Sequence, residues 1–98
     1  MSYRVELTHE AEGFLETLPI KIQKQIVRKL DSLVNNPRPP KCRKIRGSKN
    51  SYRIKSGIYR IVYQIYEDKL LVFVIRISHR SEAYRNIAIV LKQRLLIE

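Results

Sequence analysis

Tyr52-Arg53-Ile54-Lys55-Ser56-Gly57-Ile58-Tyr59-Arg60-Ile61-Val62-Tyr63-Gln64-Ile65-Tyr66 decides the fold, together with the run from Leu70 to Tyr84 that follows an acidic turn. Aromatic and β-branched residues dominate both runs, apolar and polar positions alternate, and turn residues separate them. That pattern predicts three antiparallel strands. Successive side chains of a strand point to opposite faces, so the alternating cations stand on one face and the apolar residues fill the other. In the first strand Tyr52 and Ile54 face a core and Arg53 and Lys55 face away. In the second Tyr59, Ile61, Tyr63 and Ile65 point in and Arg60 points out. A two-residue turn at Ser56-Gly57 places Arg53 opposite Arg60. In the third strand Leu71, Phe73, Ile75 and Ile77 are expected to point inward, after an odd-length loop such as Glu67-Asp68-Lys69 or through a bulge. Arg76 then lies opposite Arg60, with Arg80 at the strand exit. Like charges directly opposite one another cost roughly 0.2–1 kcal/mol, a cost that a bound anion would remove.

Upstream, Tyr3, Val5 and Leu7 alternate as a short strand. Thr8 is a helix N-cap candidate, with Glu10 and Glu12 near the positive end of the dipole. Ala11, Phe14, Leu15 and Leu18 form a helical stripe, which Pro19 ends while opening the next helix. Ile22, Ile26, Leu30, Leu33 and Val34 form the second stripe, and Asn35-Asn36-Pro37 stops it. Between Asp31 and Glu67 there is no acidic residue. That interval holds a loop, Arg38 to Ser51, carrying Arg38, Lys41, Arg43, Lys44, Arg46 and Lys49. It is read as a basic surface continuous with the cationic sheet face, a solvated loop being the alternative. Downstream, Ser81 can cap a last helix whose stripe is Tyr84, Ile87, Ala88, Leu91 and Leu95. Its apolar arc widens through Ile89, Val90, Leu96 and Ile97, which predicts a partner-covered surface. The whole reads as one α+β domain over residues 1–98, in the order strand, helical hairpin, three-stranded antiparallel sheet, helix.

The bulk chemistry narrows the function. Twenty Lys and Arg against 9 Asp and Glu give a net charge of +11, which calls for a polyanionic partner. No apolar run approaches the ~18 residues of a membrane span, and no secretion signal opens the chain. Cys42 is the single cysteine, consistent with a reducing cytoplasm, and with His9 and His79 it makes no recognisable metal set.

Lys44-Ile45-Arg46-Gly47, Tyr52-Arg53-Ile54-Lys55, Gly57-Ile58-Tyr59-Arg60-Ile61-Val62-Tyr63 and His79-Arg80-Ser81-Glu82-Ala83-Tyr84, in that order, resemble the RelE/ParE toxin superfamily over nearly the whole chain. They look closest to its RelE branch, the ribosome-dependent mRNA interferases. The resemblance implies a cytoplasmic endoribonuclease of a type II toxin–antitoxin system. Such an enzyme acts in the 70S ribosomal A site without cofactor or metal, through attack of the RNA 2′-hydroxyl on the adjacent phosphate. Its catalytic residues would be Arg53, Lys55, Arg60, Arg80 and Tyr84, with His79 as a possible accessory. Arg38, Lys41, Arg43, Lys44, Arg46, Lys49 and Arg76 would bind RNA or ribosome. Arg53 stands where lysine occurs in the pattern, Arg76 where a small polar residue does, and His79 where lysine can. Arginine cannot give up its proton, so base chemistry moves to Lys55 or Tyr84. A free lysine titrates near ~10.4, and like charges with desolvation lower that value. The implied partners are an acidic RelB-type antitoxin, covering Ile87, Leu91, Leu95 and the basic face, and operator DNA only as the toxin–antitoxin complex. Two alternatives remain open: a ParE-like toxin acting on DNA gyrase by protein contact, and a basic nucleic-acid-binding module. Among single residues, Tyr59, Tyr63, His79 and Tyr84 also fit packing roles, Arg76 also fits a pair with a glutamate, and Cys42 fits an unreactive loop thiol.

Overall fold

The computed structural model describes residues 2–82. The expected final helix, with Tyr84, Ile87, Leu91 and Leu95, lies outside the described residues. Within them the chain is α+β. Strand β1 (Arg4–Leu7) leads into helices α1 (His9–Glu16) and α2 (Ile20–Ser32). Strands β2 (Arg43–Lys44), β3 (Ser51–Ser56), β4 (Tyr59–Tyr66) and β5 (Leu71–His79) follow. All five strands form one sheet in the order β1-β5-β4-β3-β2, with β1 parallel to β5 and the other pairs antiparallel. The sheet is therefore wider than the three strands expected. β1 adds an edge, and two residues of the basic loop add the other.

Local chemistry explains the helical hairpin. Thr8 Oγ1 accepts from the Ala11 N–H at 3.1 Å and donates to the Ile75 carbonyl at 3.2 Å, so one hydroxyl caps α1 and ties it to β5. Pro19 takes the N-cap position of α2. Across the short join, Gln23 Nε2 donates to the Leu18 carbonyl at 2.8 Å, satisfying a group that α1 leaves open. Ala11, Ile26, Leu30 and Leu33 are buried, with Phe14, Leu15, Leu18 and Ile22 packed around them.

Across the sheet from those helices, Ile54, Ile61, Tyr63, Ile65, Val72, Val74 and Ile77 complete the core. The parity expected of β5 fails in its first half. Val72 and Val74, rather than Leu71 and Phe73, join the main core. Ile75 packs with Val62 in a second cluster, against Ile45 and Phe73. A bulge is responsible: Tyr63 pairs with Val74 while Val62 pairs with Arg76, leaving Ile75 as the extra residue. Past the bulge, Ile77 faces the core as expected. The β4–β5 connection also differs. A 3-10 turn at Glu67–Lys69 is followed by Leu70 in the left-handed region (φ 48°).

Tyr63 is wholly buried, and its hydroxyl donates to the Pro37 carbonyl at 2.7 Å, fixing the point where the basic loop leaves α2. Burial pushes the Tyr63 pKa far up, so the phenol stays protonated.

Candidate active site

The β3–β4 hairpin sets the geometry. Gly57 has φ 60°, and Ser56 pairs with Tyr59, so the two-residue turn is Gly57-Ile58. The expected Ser56-Gly57 turn is displaced by one residue because a turn of this hand wants glycine in its first central position. That displacement changes every cross-strand partner. Arg53 faces Val62, not Arg60, and Arg60 stands opposite Lys55 on one side and Ser78 on the other. Arg76 faces Val62, not Arg60. On the far edge Arg43 pairs with Arg53. Directly opposite residues share a sheet face, so Arg43, Arg53, Lys55 and Arg60 all project from the same side. Like charges do face each other, but as Arg43–Arg53 and Lys55–Arg60.

Two backbone devices assemble the rest. The Arg80 N–H donates to the Ile58 carbonyl at 2.8 Å, which brings the end of β5 to the hairpin turn. Arg60 Nη1 donates to the carbonyls of Gly57 (3.0 Å) and Tyr59 (3.1 Å), so its guanidinium is held by the turn itself. Arg53, Lys55, Arg60 and Arg80 consequently line one open concavity of about 1060 Å³. Its other walls are Lys29 and Ser32 of α2, and Pro39, Pro40, Lys41, Cys42 and Arg43 of the loop, with Ile54 between the strand cations. Seven of these lining residues are cationic and none is acidic. Planar guanidinium forks stand there beside point-charge ammonium groups, a chemistry suited to phosphate oxygens.

Other expected site residues stand elsewhere. Arg38 is a strut: its Nε donates to the Tyr52 hydroxyl at 3.0 Å, it forms an ion pair with Glu67, and its guanidinium lies 5.2 Å from the Tyr52 ring centre. The Tyr52 bond, with Glu67 behind it, raises the Arg38 pKa further. Lys44, Arg46 and Lys49 are exposed and away from the concavity lining. Arg76 Nη2 donates to the Glu82 backbone carbonyl at 2.9 Å. His79 packs edge-on against Tyr59, with ring centres 6.1 Å apart, and its Nδ1 accepts the Ser81 N–H at 3.1 Å. That bond leaves the neutral ring's proton on Nε2. Cys42 is half-buried against the core as well as lining the concavity.

Lys29 is the functional candidate that the sequence reading missed. It borders the buried stripe of Ile26, Leu30 and Leu33, so periodicity assigns it to the helix boundary and nothing more. Only the docking of α2 beside β3 brings it to the cations.

Comparison with known proteins adds identity to this geometry. Residues 5–84 match the family described as the ParE toxin of the type II toxin–antitoxin system parDE. The mRNA interferase toxin RelE of Escherichia coli K12 is 34% identical over 88 residues, covering 86% of this chain and 92% of that protein. A chain of the intact E. coli RelBE toxin–antitoxin complex superposes with a TM-score of 0.71 at 31% identity, covering 80% of this chain and 96% of that one. The Mycobacterium tuberculosis RelBE2 complex gives 0.72 at 26% identity, covering 82% and 100%.

Proposed function

Because the chain belongs to the ParE family of type II toxins, within the RelE/ParE superfamily and on its RelE side, we propose that it is an mRNA endoribonuclease acting in the ribosomal A site. The supporting observation is the acid-free concavity that gathers Arg53, Lys55, Arg60 and Arg80 from β3, β4 and the turn that follows β5. Relatives named as mRNA interferases point the same way.

The reaction we assign is internal transesterification. The RNA 2′-oxygen bonds to its own neighbouring phosphorus, the bond to the 5′-oxygen breaks, and a 2′,3′-cyclic phosphate and a 5′-hydroxyl result. One proton leaves the 2′-hydroxyl and one reaches the departing oxygen, so no water is consumed. Negative charge grows on the non-bridging oxygens, where a preorganised cation acts most strongly. Arg60, held by two carbonyls of its own turn, takes that role. Arg80 stabilises the departing oxygen, which takes a proton from solvent, Lys55 accepts the 2′-hydroxyl proton and passes one back to solvent, and Tyr84 aligns the attacking ribose by stacking. None of these roles draws on a metal. An acidic RelB-type antitoxin is the proposed partner, in keeping with the toxin–antitoxin complexes among the similar structures.

Induction of the wild type should arrest growth and produce cuts within codons, mapped by primer extension on translated messages. Arg60→Ala and Arg80→Ala should remove both effects with unchanged circular dichroism. Toxicity undiminished by both substitutions would refute the site. The ParE description of the matching family keeps one other reading in view, a toxin acting on a topoisomerase. DNA damage on induction, with messages intact, would favour it.

A further inference from the structure

The cations of the β2–β3–β4 face form two successive rungs. Arg43 stands directly across from Arg53, and Lys55 directly across from Arg60. Arg53 and Lys55 are two positions apart on β3, roughly 6.6–6.8 Å at the usual strand rise. Neighbouring phosphates along an extended single strand are separated by a comparable distance. Each rung sets like charges directly opposite one another, a placement that an anion between them favours. Both rungs open on the same concavity, and Arg80 joins the Lys55–Arg60 rung at the hairpin turn. The volume of about 1060 Å³ also lies at the upper limit of the ~300–1,000 Å³ usual for small-ligand sites, as a dinucleotide step requires.

We propose that the Arg43–Arg53 rung is a second phosphate subsite, which grips the phosphodiester adjacent to the one being cut. The assignment rests on the RNA-cleaving reading for its substrate, a single-stranded polyribonucleotide, and divides labour within it. Arg60, Lys55 and Arg80 serve the reacting phosphate. Arg53, which the family pattern would place on the reacting phosphate as well, works with Arg43 on its neighbour. Paired guanidinium forks suit that task, because they hold two oxygens each in fixed directions and need not exchange a proton. Contacts of this kind carry no base information; they set the register of the strand, and so the alignment of the 2′-hydroxyl with its phosphorus.

The test uses 2′-O-methyl triuridylates, which cannot be cleaved. One version carries two charged phosphates, and two others replace either one by a neutral methylphosphonate. Affinities are read by NMR titration against wild type, Arg43→Gln and the control Lys21→Gln, an exposed α2 residue outside the concavity. Wild type and control should bind the doubly charged strand about tenfold tighter than either singly charged one, the lower end for a lost charged hydrogen bond. Arg43→Gln should bind the doubly charged strand and the strand neutral at the neighbouring phosphate within about twofold, should still bind the strand neutral at the reacting phosphate more weakly, and its salt slope on the doubly charged strand should fall by about 0.7. A tenfold preference over both singly charged strands that persists in Arg43→Gln, no ratio in wild type, or no binding of the triuridylates would each overturn the subsite. Failure of the parent reading looks different: the ratio would respond to Arg43→Gln while messages stayed intact in induced cells.

Discussion

Lys55→Gln should make this protein more stable and disarm it. Lys55 is exposed and stands directly opposite Arg60 across the hairpin. Opposed Cβ atoms lie about 4.5–5.5 Å apart, and the charged heads spread to about 6.5 Å. Two unit charges at that distance repel by about 0.6 kcal/mol in water, and screening at 0.15 M salt leaves about 0.3 kcal/mol. Glutamine is one bond shorter, stays polar and removes the charge, and the bonds from Arg60 to the Gly57 and Tyr59 carbonyls remain. At a urea slope of about 1 kcal/mol/M, the midpoint should rise by about 0.3 M, by about 0.5 M at 0.02 M salt and by only about 0.15 M at 0.5 M. Lys24→Gln, exposed on α2 and outside the concavity, corrects for the general benefit of lowering a charge of +11. Cleavage should fall by about 10²–10³, the usual effect of losing one preorganised group at the reacting centre. The paired measurements are urea melts at three salt concentrations and primer extension after induction. A midpoint no higher than that of Lys24→Gln at low salt, or cleavage within tenfold of wild type, would refute the reasoning.

Three further outcomes follow from the scaffold. Thr8→Ala removes both the cap on Ala11 and the bond to the Ile75 carbonyl, and should cost about 1–2 kcal/mol; thermal melts should show Tm lower by about 5–15 °C, with Thr8→Ser close to wild type. Gly57→Ala forces a Cβ onto φ 60° and should destabilise by about 1 kcal/mol, read as a fall of about 4–8 °C in Tm. Tyr63→Phe loses the bond to Pro37 and should cost about 1 kcal/mol near neutral pH, measured by urea midpoints from pH 7 to 11. The folded phenol holds its proton above pH 10 while the unfolded one releases it, so wild-type stability falls as pH rises past 10 and the gap to Tyr63→Phe should close there.

Which features were legible in the sequence follows from how local their causes are. The α1 cap and both helical stripes depend on residues within a turn or two, and the structure has the cap and both stripes, although α2 ends at Ser32, short of the Leu33-Val34 end of its expected stripe. Strand parity in β3 and β4 was readable for the same reason. Register was not. Turns at Ser56-Gly57 and at Gly57-Ile58 both keep Ile54 facing the core, and only the backbone preference of the glycine separates them. In β5 an unbroken run from Leu71 to Ile75 is apolar at either parity, so alternation carried no information there, and the bulge then reversed it midway. The cations of the basic loop look equivalent in a sequence. Arg38 differs from Lys41 and Arg43 through Tyr52 and Glu67, which lie 14 and 29 positions away. Tertiary placement alone makes it a strut and leaves Lys41 and Arg43 to the concavity.

That placement also bears on how such a site could be restrained. The rungs are built on paired strands and the Arg60 guanidinium is anchored by turn carbonyls, so the backbone positions that carry the cations are set before any ligand arrives. Any polyanion that seats on them gains the same relief, whether a ribonucleic acid strand or the carboxylates of an acidic protein segment. Two such ligands would exclude each other without a conformational signal, since each needs the same guanidinium forks. The stabilisation each confers grows as RT ln(1 + [L]/Kd), so the tighter one governs the folded toxin's occupancy. Lys55→Gln and Arg43→Gln should therefore weaken an acidic antitoxin segment as well as RNA. A segment whose affinity ignored both substitutions would have to inhibit from another surface.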